Sequence, residues 1–356
     1  MMNKNKSNFL TSNQLAFLTM GFVVGPALLR LPNALIPVSG QDAWISAIIA
    51  LVYPLYVVLI SIYIINKHPK QNILMISKKY FGNIFGNFLN FIFMLQYILL
   101  TGTITVEFIN RSRVYTVPFL TPIKIIIVAM LLGLYGAYKG IKCLGKINEI
   151  ITYGFLIMLL SLSALRYGSM LNIRPVFGSG LSNIFKATPK TAYFYIGWET
   201  ILLFHPLVQN TKDIKKSVLK ALGIASIIWV WTVFITIFYL GIDVATRSYW
   251  PVILVFESIN IPIINNFRYI FMFVWDLMVL RMTANFYYAS TFCLNNFIKI
   301  DIKKIMIVIF PIMIYLTVKL TDNILKDEIL SVASPFFVIF NLIFLTLIAI
   351  LSKINP

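Results

Sequence analysis

GFVVGPALLRLP, residues 21–32, decides how the rest of the chain is read. The stretch is strongly apolar, yet Gly25 and Pro26 fall near its middle and Arg30 follows one turn later. Proline inside a helix removes a backbone N–H and clashes with the preceding turn, so a helix breaks there. A lone Gly-Pro in a membrane helix is more often a simple kink, because both residues are common in such helices. The reading therefore depends on whether the chain contains a second break that answers the first.

That the stretch is a membrane helix follows from composition. The 356 residues are 59% hydrophobic and only 12% charged, whereas ordinary globular chains are about a quarter charged. Apolar runs of about 18 residues or more recur, each long enough to cross about 30 Å of hydrocarbon. We read ten helices, roughly 13–37, 42–66, 84–110, 121–138, 142–165, 187–209, 217–241, 267–296, 303–319 and 330–352. An earlier start for the third, near Ile76, is the alternative. No sizeable soluble domain is left over. The longest gap, 242–266, holds RSYWPVILVFESINIP, which reads as an interfacial amphipathic segment anchored by Trp250. The start, MMNKNKSNFLT, is short and polar, and the first apolar run is too long and interrupted for a signal-peptide core, so no cleaved leader is expected.

A net charge of +18 would suggest nucleic acid in a soluble protein. In a membrane protein it suggests cytoplasmic loops lying against anionic lipid, with no nucleic-acid partner. With both termini cytoplasmic, about 17 Lys and Arg fall inside, among them Lys4, Lys6, Lys67, Lys70, Lys212 and Lys299, and about 11 outside. Acids such as Asp243, Glu257, Asp322 and Asp327 gather outside. Cys143 and Cys293 suggest neither a disulfide framework nor a metal site, and His68 and His205 are too few for an imidazole cluster. No nucleophile–base pair or nucleotide loop stands out, so neither catalysis nor a cofactor is expected.

The second break is in the sixth helix. YFYIGWETILLFHP, residues 193–206, places Gly197 mid-span, followed by Glu199, Thr200 and Pro206. Breaks in spans one and six of ten are what an inverted five-plus-five repeat predicts. The repeats would cover about 13–165 and 187–352 of a single transmembrane domain, 1–356. Unwound backbone in hydrocarbon costs several kcal/mol per unsatisfied group, so it persists only where protein, ligand or water supplies partners. Half-helix N-termini offer N–H groups to anions, and C-termini offer carbonyls to cations. Paired breaks thus make a midplane site for a small polar molecule, with Gly25, Pro26, Ala27, Gly197, Trp198, Glu199 and Thr200 at its centre.

Charges inside spans are functional candidates by default. Arg30, Glu107 and Asp276 lie at similar depths, so Arg30 with Glu107 or with Asp276 reads as an ion pair. Asp276 and Arg281 are five residues apart, about 140° around the helix, and do not face each other. Arg30 is then either a clamp for an acidic ligand group or a structural lock. Glu199 could receive an ammonium, a hydroxyl or a proton, whereas His205 and Glu149 read as ordinary core or interfacial groups.

The stretches TSNQLAFLTMGFVVGPALLRLPNAL (11–35) and WETILLFHPLVQNTKDIKKSVLKAL (198–222) resemble spore-germination permeases, the B subunits of bacterial germinant receptors. The shared features are the mid-span glycine with Leu31-Pro32 in the first helix, and the mid-helix acid with a Lys- and Asp-rich loop after the sixth. The resemblance covers nearly the whole chain. It implies the LeuT-type fold of the amino acid–polyamine–organocation superfamily, a small germinant, and A-type membrane and C-type lipoprotein partners in the spore inner membrane. The same fold places helices three and eight beside the breaks, which adds Gln96, Tyr97, Asn285 and Tyr288 as pocket candidates. A secondary transporter of amino acids or related solutes, coupled to H⁺ or Na⁺, is the other reading. Pro26 departs from plain amino-acid transporters, because it withholds one N–H from a ligand carboxylate.

Overall fold

In a computed structural model, residues 9–259, 267–298 and 300–354 are described; Lys4, Lys6, Lys299 and the last residues of RSYWPVILVFESINIP lie outside them. The first span is two half-helices, α1 (Ser12–Val23) and α2 (Ala27–Ser39). Spans two to five follow as α3 (Ala43–Ala50) with α4 (Val52–Lys67), α5 (Ile73–Tyr115), α6 (Pro122–Tyr138), and α7 (Ile141–Tyr153) continued by a tighter helix, Gly154–Arg166. The sixth span is pieced from α8 (Leu181–Ala187), a tight helix Thr188–Tyr195, a break, and a short helix containing α9 (Ile201–Phe204). The last four spans are α10 (Ile214–Arg247), α12 (Arg268–Asn295), α13 (Ile302–Lys319) and α14 (Asn323–Ile354), with α11 (Pro251–Glu257) between the first two of them. Among the described residues, six stretches are long and apolar enough by themselves to cross a membrane.

Several expected boundaries move for physical reasons. The third span begins at Ile73, close to the alternative start near Ile76 and not at 84, and turns at Gly82, whose φ of 75° is open to glycine at no steric cost. It runs on to Tyr115, and the tenth span starts at Asn323 rather than 330. Both extensions carry charged residues that hydropathy assigns to loops. Trp250 and α11 are also not a surface segment: Val252, Ile253, Val255 and Phe256 are buried, with Phe256 stacked on Phe271 at 3.8 Å. The helix is too apolar to lie on a surface, and it fills the space between α2, α10 and α12.

α1 and α12 run through the centre, with α1 packed on α7, α10 and α12 and buried on nearly all sides. A capping box starts α1: Thr11 Oγ1 accepts from Gln14 N–H at 3.1 Å, and Gln14 Oε1 accepts from Thr11 N–H at 3.2 Å. Just before it, Leu10 bridges Val208 through Leu10 N–H to Leu207 O at 2.8 Å and Gln209 N–H to Leu10 O at 3.1 Å. The entrance of span one is thus tied to the exit of span six. We call this the near side.

Candidate functional site

Val24 has left the helical region at ψ 102°, and Pro26 starts α2 with φ −55°, the angle its ring enforces. Leu28 and Leu29 N–H groups close onto Gly25 O and Pro26 O at 3.0 and 3.1 Å, so the start of α2 keeps at most Gly25 and Ala27 as backbone donors. A Cβ on Gly25 would collide with Met282 Sδ, which explains the glycine.

The sixth-span break is filled by its own side chains. Gly197 has φ 130°, and a Cβ there would sit 3.0 Å from Phe22 Cβ and Val23 Cγ2. Glu199 folds back so that Oε2 accepts Gly197 N–H at 2.8 Å, while Oε1 accepts Gln96 Nε2 at 2.9 Å. Thr200 Oγ1 donates to Gly197 O at 2.6 Å. The carboxylate thus occupies the N-terminus of the near-side half-helix, where a ligand anion would otherwise be favoured. Among the described residues no cationic side chain forms a salt bridge with Glu199.

Below the breaks, aromatic rings close the path. Phe22 stacks on Phe204 at 6.0 Å and meets Phe286 edge-on at 4.8 Å; Tyr97 leans on Phe286 and Tyr288 on Phe204 at 5.8 Å each. Trp198, next to Gly197 in the chain, is fully buried. Asn285 pairs with Asn148 through two amide hydrogen bonds of 2.9 and 3.0 Å. At the near-side mouth, His205 Nε2 lies 3.0 Å from His68 O, and His68 Nε2 lies 2.9 and 3.1 Å from Tyr80 OH and Ser352 Oγ.

The open space lies on the other side of the breaks. A cavity of about 360 Å³ opens to the far side between spans one, three, six, eight and ten, at the small end of the range for small-molecule sites. Of the sequence candidates, Pro26, Ala27, Arg30 and Glu107 line it, with Met282, Ile196 and Leu100 making an apolar floor. Gly25 sits behind Met282. Gln96, Tyr97, Gly197, Trp198, Glu199, Thr200, Asn285 and Tyr288 are instead brought together in the sealed layer beneath.

Sequence reasoning missed two charges. Lys326 is buried on α14 and shares Glu107 Oε1 with Arg30, each at 3.1 Å. Arg30 also stacks over Tyr249, 4.5 Å from the ring centre. Lys190 and Asp327 line the rim, so cations outnumber anions by one in the five-charge set Arg30, Lys190, Lys326, Glu107 and Asp327. Asn33 adds a buried Oδ1 that has no partner among the described residues. The other missed charge is Arg111, fully buried on α5. It pairs with Asp276 and lies over Trp275 at 4.4 Å. Arg30 therefore pairs with Glu107, and the alternative pairing with Asp276 is corrected: Asp276 belongs to Arg111, because span three extends one turn further than its apolar core.

Ten membrane helices, broken in the first and sixth with charged groups placed at the breaks, define a protein of the LeuT-type transporter fold. Its architecture matches the crystal structure of MhsT in complex with L-phenylalanine at TM-score 0.70 and 14% identity, covering 97% of this chain and 89% of that one. The chain belongs to the spore germination protein family, whose model matches residues 9–326. Among its relatives, GerQB of Bacillus cereus is 24% identical across 74% of this chain and 73% of its own length. YndE of Bacillus subtilis is 21% identical across 92% and 93%, and germination protein KB of the same organism 25% identical across 71% and 68%. The chain is thus a multi-pass membrane protein of a family and fold that are not enzymatic.

Proposed function

We propose that this chain is the membrane-embedded sensing subunit of a spore germinant receptor, and that it binds its germinant in the far-side cavity. The observation that carries the reading is the location of that cavity, between the two broken helices and three further spans, where a ligand would contact elements that must move relative to one another. The Arg30 and Lys190 cations on its wall, its apolar floor and Asn33 Oδ1 suit a small molecule with an acidic group, a donor and an apolar body. Arg30 acts both as lock on Glu107 and as clamp, since a ligand acid entering the cavity can draw on a guanidinium that Lys326 leaves only partly needed. Binding biases a two-state rearrangement of the bundle, which an A-type membrane subunit and a C-type lipoprotein read. The whole chain works as one domain of two repeats, in the spore inner membrane with both termini cytoplasmic.

The test is a thermal-unfolding panel of amino acids, sugars and nucleosides on the purified protein. At least one probe should raise the midpoint for wild type and not for Ala34→Trp, which fills the cavity. Equal response in both would place the site elsewhere. The fold match to MhsT favours a second reading, a transporter of amino acids or related solutes. Concentrative uptake into proteoliposomes would select it, and binding with little net uptake would select the receptor.

A further inference from the structure

The near-side half of span one ends at the break, and its last carbonyls point into the core. Carbonyls at a helix C-terminus carry about half a negative charge together. In a hydrocarbon setting they need a donor or a cation. Arg281, buried on α12, supplies one: Nη2 lies 3.2 Å from Val24 O, and Nη1 lies 3.4 Å from both Asn148 O and Thr152 Oγ1. The oxygens come from spans one and five and the guanidinium from span eight. Asn148 is also tied to span eight by its amide pair with Asn285, one turn along α12 from Arg281, so spans five and eight are held together at this point twice over. Three oxygens converging on a buried helix end are also what an inorganic monovalent cation would seek, since hard cations take oxygen ligands.

We propose that Arg281 is a resident cation. Its guanidinium occupies the oxygen-lined position at the span-one break, so the stability and conformational response of this chain do not depend on Na⁺ or K⁺. An exchangeable ion could leave that position by diffusing away. A guanidinium carried on α12 leaves only if span eight moves against spans one and five. The charge therefore reports helix position and not ion concentration. Together with Glu199 at the other break, it makes both near-side half-helix ends self-neutralised. The inference stands on the fold and these distances, independently of what the far-side cavity binds.

The test uses the full-length protein in detergent, with thermal unfolding followed in the chlorides of Na⁺, K⁺ or N-methyl-D-glucamine at equal ionic strength. Wild type should unfold at the same midpoint in all three. A saturable rise in Na⁺ or K⁺ that N-methyl-D-glucamine does not give would overturn the proposal without any mutation. Arg281→Ala should unfold several degrees lower in N-methyl-D-glucamine and recover in a dose-dependent way with guanidinium. A folded variant as stable as wild type, or one that guanidinium does not rescue, also overturns it. Should Arg281→Ala not fold, Arg281→Lys serves: it keeps a cation, so it should be less stable than wild type yet insensitive to Na⁺ and K⁺, and alkali sensitivity there counts against a resident charge. No arm uses an added germinant, so failure here leaves the cavity proposal standing.

Discussion

Gly197 and Gly25 both mark breaks, but for different reasons, and substitution separates them. At Gly197 the backbone itself, φ 130°, excludes a side chain, and Phe22 and Val23 crowd the same space. Gly197→Ala should therefore cost about 1–3 kcal/mol, read as a lowered thermal midpoint. Gly25→Ala meets only Met282 Sδ, the end of a flexible side chain. Its stability loss should be smaller, and its effect should appear as weaker probe binding, because the displaced Met282 enters the cavity. Gly223→Ala, where a Cβ meets nothing within 4 Å, is the control and should be neutral or slightly stabilising. Glu199 separates charge from hydrogen bonding in the same way. Glu199→Leu strands Gly197 N–H and should cost about 1–3 kcal/mol. Glu199→Gln keeps an acceptor for that N–H, with Gln96 able to turn its own carbonyl toward the new amide, and should lie close to wild type. A Gln variant as unstable as the Leu variant would mean that the negative charge, not the acceptor, holds the break.

At the scale of helices, spans three and eight are joined by Arg111 and Asp276. Removing one partner leaves a buried charge uncompensated, so Asp276→Leu should cost about 3–5 kcal/mol, and adding Arg111→Met should return much of it. A double variant as unstable as the single would show that the pair does more than compensate itself. The pair also marks where the sequence stopped being legible. Helix number, the two breaks and the family resemblance were readable, because Gly-Pro punctuation and long apolar runs are local signals. Arg111 and Lys326 were not, because each lies on a helical turn beyond the apolar core of its span, where composition looks like loop. The placement of Glu199 was unreadable for another reason. Its residue type and position announce a group at the break, but only the turn at Gly197 decides whether the carboxylate faces an incoming molecule or folds onto its own backbone. That turn shifts the open space to the far side of the expected centre. Trp250 shows the converse: a polar-flanked apolar segment resembles a surface helix until the gap between α2, α10 and α12 is known.

Across the whole molecule, the two faces are unequal. The near side is closed by the Leu10–Val208 bridge, the His68 cluster and a layer of aromatic rings, while the far side is open. Pairing Leu10→Cys with Val208→Cys should therefore fix the closed face without closing the open one. The oxidised double variant is expected to keep the midpoint shift given by a binding probe and to lose any uptake into proteoliposomes. Loss of probe binding on oxidation would mean that both faces must move to admit a ligand. The asymmetry also has a kinetic meaning. A molecule whose binding-competent form is rare binds more weakly by the fraction of time that form is absent, and its approach to equilibrium levels off at high ligand concentration. Here the competent form is the one already built, so encounter should be a single diffusive step whose observed rate climbs linearly with ligand. The waiting time of the sensor would then sit after capture, in the slower opening of the sealed face, and a brief pulse of ligand could be taken up faster than it is acted upon.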